Sequence, residues 1–202
     1  MRYKAGHKGR TRARILTAAQ RALKREGLAG ASVSRIMGEA GLTHGGFYQH
    51  FPTKEALVAA AFFEGLKSSQ EELLQGLEEV QGRDFLAVVV GRYLSRTHRD
   101  HPEAGCPMAA LLTELGRGEG DLAEPLCNYL EGIAAALAER VTPAGGIPAE
   151  ERALATVALM VGGVALARAA GKGELSDRIL RSCRRMALAG LGEEPPKQER
   201  KP

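Results

Sequence analysis

Three cysteines and five histidines are the side chains best suited to catalysis or metal binding in this chain of 202 residues. Cys106, Cys127 and Cys183 form no CxxC motif and pair with no nearby histidine, which argues against a zinc site and a disulfide framework. Cys106 lies at the start of a predicted helix, where redox sensing by an exposed thiol is one interpretation. A buried structural cysteine is the favoured one, because no resolving cysteine lies nearby in sequence.

The histidines and glycines give no catalytic motif either. His44 and His50 have no acid or cysteine near them, and His98 and His101 fit the polar end of a helix better than a metal site. The segment GRGEGD lacks the GK[ST] ending of a phosphate loop, and no GxSxG motif occurs. We therefore expect no enzymatic activity, no metal site and no cofactor.

Basic residues are concentrated at one end of the chain. Residues 1–55 contain eleven lysines and arginines against three glutamates, a net charge of +8, whereas the rest of the chain has a net charge of −4. A basic front on a mildly acidic body is typical of a nucleic-acid-binding head joined to an interaction domain. The alternative is a solvated basic tail.

Hydrophobic periodicity predicts an all-α fold with about nine helices. Three helices are expected at about 11–26, 32–41 and 43–51, with Thr11, Ser32 and Thr43 as their caps and with Gly27 and Gly41 ending the first two. Phe47 and Phe51 are spaced i and i+4, so both face inward, and a helical wheel places Gly45 and Gln49 on the opposite side. Two short helices joined by a tight glycine turn, behind a supporting helix, form the pattern of a helix-turn-helix domain.

Residues 10–58 contain an ordered set of motifs: Gly-Leu-Thr in the turn, Phe-Tyr-x-His-Phe in the third helix and Pro-x-Lys-Glu-Ala-Leu after it. This combination resembles the tetracycline-repressor (TetR) family of transcriptional regulators. The resemblance implies base-facing positions in the third helix and phosphate contacts on its flanks. The residues expected to contact DNA are Arg10, Ser32, Ser34, Thr43, His44, Gly45, Gly46, Tyr48, Gln49, His50 and Lys54.

The paired glycines Gly45 and Gly46 have two interpretations. Each costs a helix about 1 kcal/mol relative to alanine, so a specific need for a bare surface is the favoured one. Without side chains, these residues let the backbone and His44 approach base edges closely. The alternative is a weak turn that only the packing of Phe47 and Phe51 orders.

The remaining residues are expected to form a helical body. Helices are predicted at about 54–79, 83–98, 106–116, 120–141, 149–170 and 175–191. The domain prediction is a DNA-binding domain at 1–53, an effector-binding and dimerisation domain at 54–192 and a disordered tail at 193–202. No membrane-spanning segment or signal peptide is expected, and a cytoplasmic location follows.

The last two predicted helices carry more apolar surface than one chain needs to bury. The small residues in 149–170 allow close helix approach, and the resemblance implies that 149–170 and 175–191 form a homodimer. Packing within the chain alone is the alternative. The resemblance also implies a pocket for a small, apolar effector. Its candidate residues, for which plain core is an equal interpretation, are Phe62, Phe63, Leu66, Phe85, Val89, Tyr93, Met108, Leu112, Tyr129 and Ile133.

The function expected from these features is a homodimeric repressor that binds a near-palindromic double-stranded DNA operator and that a small-molecule effector releases. Two other classes stay open. One is an effector-independent DNA-binding protein, and the other is a helical adaptor whose basic head binds another polyanion, with an affinity controlled only by salt.

Overall fold

The computed structural model of the chain describes residues 3–116, 122–141 and 146–189. The predicted tail at 193–202 and parts of the two predicted helix breaks, at 116–120 and 142–148, lie outside them. Across the described ranges the chain forms nine α-helices, two short 3-10 helices and no β-strand, which confirms the all-α prediction. The elements in order are α1 (Tyr3–Gly30), α2 (Val33–Glu39), η1 (His44–Gln49), α3 (Lys54–Leu74), α4 (Gly82–Tyr93), α5 (Arg96–Asp100), η2 (Pro102–Ala104), α6 (Met108–Leu115), α7 (Ala123–Ala138), α8 (Ala149–Ala169) and α9 (Glu174–Leu188).

The helices form two compact units. The first unit consists of Met1–Glu72 and Asp100–Ala123, and the second consists of Leu73–Arg99 and Glu124–Pro202. In the first unit α1 packs on α2, η2 and α6, while α2 packs on η1. In the second unit α8 and α9 pack on each other and on α4. These units are defined by packing, and the functional division at residue 53 stays a prediction.

Helix α1 is longer than its sequence pattern predicted. It begins by Tyr3, and Thr11, the predicted cap, is a buried residue inside it. Lysine, arginine and alanine are good helix formers, so the residues before Thr11 extend the helix. The predicted end is confirmed in a modified form, because Gly27 breaks the helical backbone with φ 69° before the last turn ends at Gly30.

We call the predicted DNA-binding domain at 1–53 the head. Its third helix is a 3-10 helix, whereas an ordinary helix to Phe51 was expected. It covers His44–Gln49, and the Gly46 amide donates to the Thr43 carbonyl at 3.1 Å. Thr43 has the extended backbone of a cap residue but makes no capping side-chain bond. Two glycines in six residues lower the α-helical propensity of this short segment.

Helix α8 contains a long apolar stretch. By length and composition it is the one helix in the described residues that could cross a membrane, and 39% of its most apolar 18-residue window is buried. One side of α8 packs against α4 and α9, with Val157, Met160 and Val164 in the core. Packing within the unit therefore explains part of the apolar content of α8. The apolar residues on its exposed side are not explained by this packing.

Candidate nucleic-acid interface

Helix α2 is held by its cap and by two core residues. Ser32 is confirmed as the N-cap, since its hydroxyl accepts a hydrogen bond from the Arg35 amide at 3.3 Å. Ile36 and Met37 are buried, which leaves Ser34 exposed on the outer side of the helix. The helix therefore presents its serines to solvent at its N-terminal end, where backbone amides and the helix dipole favour an anion such as a phosphate.

Two stacked aromatic rings hold η1 in place. Phe47 and Phe51 are both buried, and their ring centroids lie 6.1 Å apart. Tyr48 packs edge-on against Phe47 at 5.1 Å, yet 69% of its surface is exposed. The predicted inward direction of the two phenylalanines is therefore what the structure gives, and Tyr48 stands out beside them.

The predicted contact residues of the head come together in the first unit. Ser32, Ser34, Thr43, His44, Gly45, Tyr48 and Gln49 are exposed, whereas Gly46 and His50 are half-buried. Most are small or polar residues around a buried aromatic anchor. Such a surface offers hydrogen-bond donors and acceptors to base edges and phosphates without a bulky barrier.

Neither glycine of η1 is required by the protein's own structure. Neither has a positive φ, and a Cβ added at Gly45 would meet nothing within 4 Å. At Gly46 the nearest atom would be Met37 Cε at 3.7 Å, an ordinary van der Waals distance. The bare surface is therefore not explained by backbone conformation or by internal packing.

A cleft of about 620 Å³ lies between the start of α1 and the helix-turn-helix. Its walls include His7, Lys8, Gln49 and His50, residues that bring polar and basic groups to one opening. The Nδ1 atom of His50 is buried and has no hydrogen-bond partner within the described part of the chain. Sequence reasoning missed His7 and Lys8, and the continuation of helical spacing before Thr11 was the signal that could have identified them.

The basic residues of the head differ in whether their side chains contact other residues of the chain. Arg10 is exposed, whereas the Arg12 guanidinium lies 4.8 Å from the Phe51 ring centroid. Arg14 donates to the Ala40 carbonyl at 2.5 Å, and Lys54 Nζ donates to the Leu28 carbonyl at 3.0 Å. An ammonium has three donors, so this bond leaves Lys54 two donors for a phosphate.

Part of the positive charge of the head is neutralised by its own glutamates. Arg25 contacts Glu26 and Glu39, and Arg35 contacts the same two carboxylates. The hydrogen bonds that Arg25 donates to the Glu26 and Glu39 carboxylates raise the pKa of Arg25 above its ordinary value. The charges of Arg25 and Arg35 are therefore partly compensated within the head, whereas Lys8 and Arg10 near the start of α1 are exposed.

The candidate effector residues are divided between the two units. In the first unit Phe62, Leu66 and Met108 are buried, whereas Phe63 and Leu112 are half-buried. In the second unit Phe85, Val89 and Tyr93 form a buried row along α4, and Tyr129 and Ile133 are half-buried on α7.

A small cavity lies in the second unit between α4, α7 and α8. It measures about 10 Å³, and Leu86, Leu137 and Thr156 are among the residues that line it. That volume is about what one water needs and is far below the size of a ligand pocket. None of its lining residues belongs to the predicted effector set.

Metal-ligating side chains do not cluster in the residues that the structure describes. No group of three or more histidines, cysteines, aspartates and glutamates is placed to hold an ion there. His98 Nδ1 lies 2.7 Å from the Tyr93 carbonyl, and His101 Nδ1 lies 3.3 Å from a Glu103 carboxylate oxygen. Both histidines therefore have structural partners.

Comparison with known proteins identifies the head. Residues 15–61 match the model of the bacterial regulatory proteins of the tetR family. An uncharacterized HTH-type transcriptional regulator from the lacX 3′ region of Lactococcus lactis is 27% identical over 142 residues, which cover 68% of this chain and 71% of that protein. The HTH-type transcriptional regulator UidR of Escherichia coli K12 is 33% identical over 88 residues, 44% of this chain and 43% of UidR.

Solved structures share the fold over nearly the whole chain. A TetR-family regulator from Cytophaga hutchinsonii matches with a TM-score of 0.78 at 22% identity, covering 94% of this chain and 98% of the other. A TetR regulator from Chloroflexus aurantiacus matches with a TM-score of 0.75 at 24% identity, covering 93% and 95%. Residues 15–61 therefore form a helix-turn-helix of the tetR family, and the regulator relatives and the shared fold agree in supporting a TetR-family transcriptional regulator.

Proposed function

We propose that this regulator is a homodimeric repressor that binds a near-palindromic DNA operator and is released from it by a small apolar effector. The observation that best supports DNA reading is that two adjacent residues of η1, Gly45 and Gly46, have no side chain. They lie between exposed His44 and exposed Tyr48, and neither the backbone nor internal packing requires a glycine at either position. Close approach of DNA explains why the side chains are missing.

The proposed contacts divide into base reading and phosphate binding. His44, Gly45 and Gly46 face base edges, and Gln49 contacts either a base or the backbone. Phosphates are held by the flanks of η1 and by the basic start of α1, a division typical of helix-turn-helix proteins. The residues proposed for phosphates, with the serines and threonine at the helix ends, are Arg10, Ser32, Ser34, Thr43, Tyr48, His50 and Lys54.

The proposed dimer uses the exposed side of α8 and the adjacent stripe of α9. No charged side chain occurs on α8 between Leu154 and Ala167, and Leu166 is 62% exposed. A Cβ added at Gly162 would meet nothing within 4 Å, so packing inside the protomer does not explain that glycine. On α9, Leu175 and Met186 are also strongly exposed. A second copy of the two helices would bury these surfaces in a four-helix interface.

The effector part of the proposal rests on the family likeness and on aromatic residues inside the body. Phe62 and Phe63 pack edge-to-face with centroids 5.3 Å apart, and Phe85 begins the buried row on α4. An effector that prefers one arrangement of these helices would shift the population towards the released state by its differential affinity. The head at 1–53, the body at 54–192 and a cytoplasmic location complete the proposal.

The test of DNA reading is selection of bound duplexes from a random library at near-physiological salt. Wild type is expected to enrich a near-palindrome with half-sites about 34 to 36 Å apart, the spacing of successive major grooves. Tyr48→Ala, which removes the most exposed aromatic residue of the head, is expected to enrich it poorly. If wild type enriches no sequence, the operator-reading function is wrong and a non-specific binder or adaptor takes its place.

The test of the dimer is the mass in solution of Leu166→Glu, measured by light scattering. Wild type is expected at twice the chain mass and the variant near the chain mass, because a buried unpaired carboxylate opposes association. Val88→Glu is the matched control, since Val88 is an exposed apolar residue on α4, outside the proposed interface. Equal masses for wild type and Leu166→Glu would contradict this interface.

A further inference from the structure

The last turn of α1, residues 28–30 after the break at Gly27, leads into α2 and is called the α1–α2 turn; side chains from two other elements bind its backbone. The Leu28 amide donates to Glu114 Oε2 at 2.8 Å, and the Leu28 carbonyl accepts from Lys54 Nζ at 3.0 Å. Glu114 lies near the end of α6 and Lys54 begins α3, so two other elements hold the two polar groups of one residue. Both hydrogen bonds are charge-assisted and partly buried, which makes them stronger than neutral bonds.

The neighbouring glycine shows how closely α6 approaches this turn. Gly27 has φ 69°, a conformation that favours glycine, and it breaks α1 immediately before Leu28. A Cβ at this position would lie 2.7 Å from Glu114 Oε1 and 2.8 Å from Oε2. Glycine is therefore required here both by the backbone and by the carboxylate beside it.

This turn connects α1 to α2 and η1, the elements proposed to read DNA, so its position affects how they lie on α1. Leu28 is followed by the Ser32 cap of α2, and α2 packs directly on η1. Glu114 itself is fixed, because Leu111 and Leu115 on either side of it are buried core residues of α6. A displacement of the carboxylate would therefore remove the acceptor of the Leu28 amide, in the turn that leads into α2.

We propose that Glu114 is a positioning residue for DNA binding: it holds the α1–α2 turn through the Leu28 amide, and Lys54 completes this clamp through the Leu28 carbonyl. The inference rests on the proposed reading of DNA by the helix-turn-helix. It also gives Lys54 a second role besides phosphate binding. Glu114 itself touches no DNA in this account.

Removing Glu114 has opposite expected effects on DNA affinity, depending on whether its charge or its hydrogen bond to Leu28 dominates. Loss of a negative charge from a DNA-binding unit favours binding to phosphates. Loss of the clamp leaves the Leu28 amide without its acceptor and loosens the turn, which weakens binding. The sign of the change in affinity therefore distinguishes the two.

The experiment compares Glu114→Ala, Glu114→Gln and Glu114→Asp in the full chain, with Glu64→Ala as the matched control. Glu64 is an exposed glutamate on α3, so its variant loses the same charge. Glutamine keeps an acceptor at the same reach and loses the charge. Aspartate keeps the charge but is one methylene too short to reach Leu28. Affinity is measured for the duplex that wild type selects, and hydrogen exchange at the Leu28 amide is measured without DNA.

Glu114→Ala and Glu114→Asp are expected to bind the duplex about tenfold more weakly, as expected when a charge-assisted bond to a partly buried amide is lost. Their Leu28 amides should exchange faster than in wild type. Glu114→Gln, which keeps a neutral hydrogen bond, should bind more tightly than the Ala and Asp variants, and Glu64→Ala should remain within about twofold of wild type in affinity. If Glu114→Ala fails to fold, comparison of Glu114→Gln with Glu114→Asp still distinguishes the effect of side-chain length from the effect of charge.

Two results would overturn the inference. One is an unchanged rate of hydrogen exchange at the Leu28 amide in the Ala and Asp variants. This result would show that Glu114 does not hold the turn, whether or not the protein reads an operator. The other is an affinity of Glu114→Ala equal to or above that of Glu64→Ala. Absence of any sequence enriched by wild type would instead overturn the operator-reading function, and with it the role of the clamp in DNA binding.

Discussion

Arg99 is a buried arginine whose Nη1 atom lies 2.9 Å from Asp177 Oδ1, so α5 and α9 are joined by an ion pair in the second unit. Arg96 makes a second contact to the same carboxylate at 2.5 Å. The same Arg99 nitrogen donates to Ser176 Oγ, and that hydroxyl donates to the Ala167 carbonyl near the end of α8. One carboxylate therefore organises the meeting point of three helices.

The first prediction concerns acid stability. Hydrogen bonds from Arg96 and then Arg99 lower the pKa of Asp177 below its ordinary value of 3.8. A group with a lowered pKa in the folded state stabilises the protein above the unfolded-state pKa, and this contribution disappears as the pH falls through the folded value. Thermal unfolding from pH 7 to pH 2 should therefore show Asp177→Asn less stable at neutral pH, with the difference closing below about pH 4.

Glu174→Gln, on an exposed residue of the same helix, is the control for this titration. It should follow wild type across the range. A difference between wild type and Asp177→Asn that is independent of pH would show that the carboxylate acts by shape alone.

The second prediction separates folding from DNA binding in η1. Gly45→Ala and Gly46→Ala should raise the free energy of unfolding by about 0.5 to 1 kcal/mol, because both added methyl groups fit and alanine restricts the unfolded chain. The same variants should bind the selected duplex about tenfold more weakly, since the methyl groups would occupy the space that the proposed contact with base edges needs. Denaturant unfolding and a binding titration measure the two effects.

Gly132→Ala on α7 is the control, because Gly132 is exposed and its added Cβ also meets nothing within 4 Å. It should gain stability without losing affinity. Unchanged DNA binding by the η1 variants would favour the other interpretation, in which the glycines only weaken a turn.

The third prediction concerns packing between α8 and its neighbours. A Cβ at Gly163 would lie 2.8 Å from Leu94 Cδ2 and 2.9 Å from Cys183 Sγ. Gly163→Ala should therefore lower the free energy of unfolding by about 1 to 2 kcal/mol, since both side chains must move in a packed interior. Gly91→Ala, with nothing within 4 Å of its added Cβ, should be neutral or stabilising.

A second substitution tests the cause of that loss. Adding Cys183→Ala to Gly163→Ala removes one of the two obstructing atoms, so the pair should cost less than the sum of the single variants. Strict additivity would mean that the Gly163 contact with Cys183 relaxes without cost.

The fourth prediction concerns the thiols. Cys127 is exposed, Cys183 is half-buried and Cys106 is buried. Burial also raises the pKa of the Cys183 thiol, which lowers its thiolate fraction at neutral pH. A thiol reagent should therefore modify Cys127 first, Cys183 more slowly and Cys106 only after unfolding, as mass spectrometry of timed samples can determine. Fast modification of Cys106 in the folded protein would revive redox sensing at that residue.

Short-range patterns determined most of what could be predicted about the fold. Ser32 as a cap, Gly27 as a break and the i, i+4 pair Phe47 and Phe51 each depend on residues within a turn or two, and all three were identified from sequence. The limits of α8 and α9 were predicted to within a few residues for the same reason. Helix periodicity and caps are local properties, so the sequence carries them directly.

Other features depended on residues far apart in the chain. The bond between Leu28 and Glu114 joins positions 86 residues apart, and no local pattern around Glu114 indicates it. Lys54 matched a phosphate contact by its motif, but its second partner, the Leu28 carbonyl, is found only in the folded unit.

The sequence alone determined the helical class and the family motif, and it supplied the residues that are proposed to contact DNA. The tertiary structure decided which basic residues already have partners and which carboxylate accepts a hydrogen bond from the Leu28 amide. The physical reason is that helix formation is governed by neighbours within a few residues. Hydrogen bonds to a kinked backbone, in contrast, depend on where packing places side chains from distant parts of the chain.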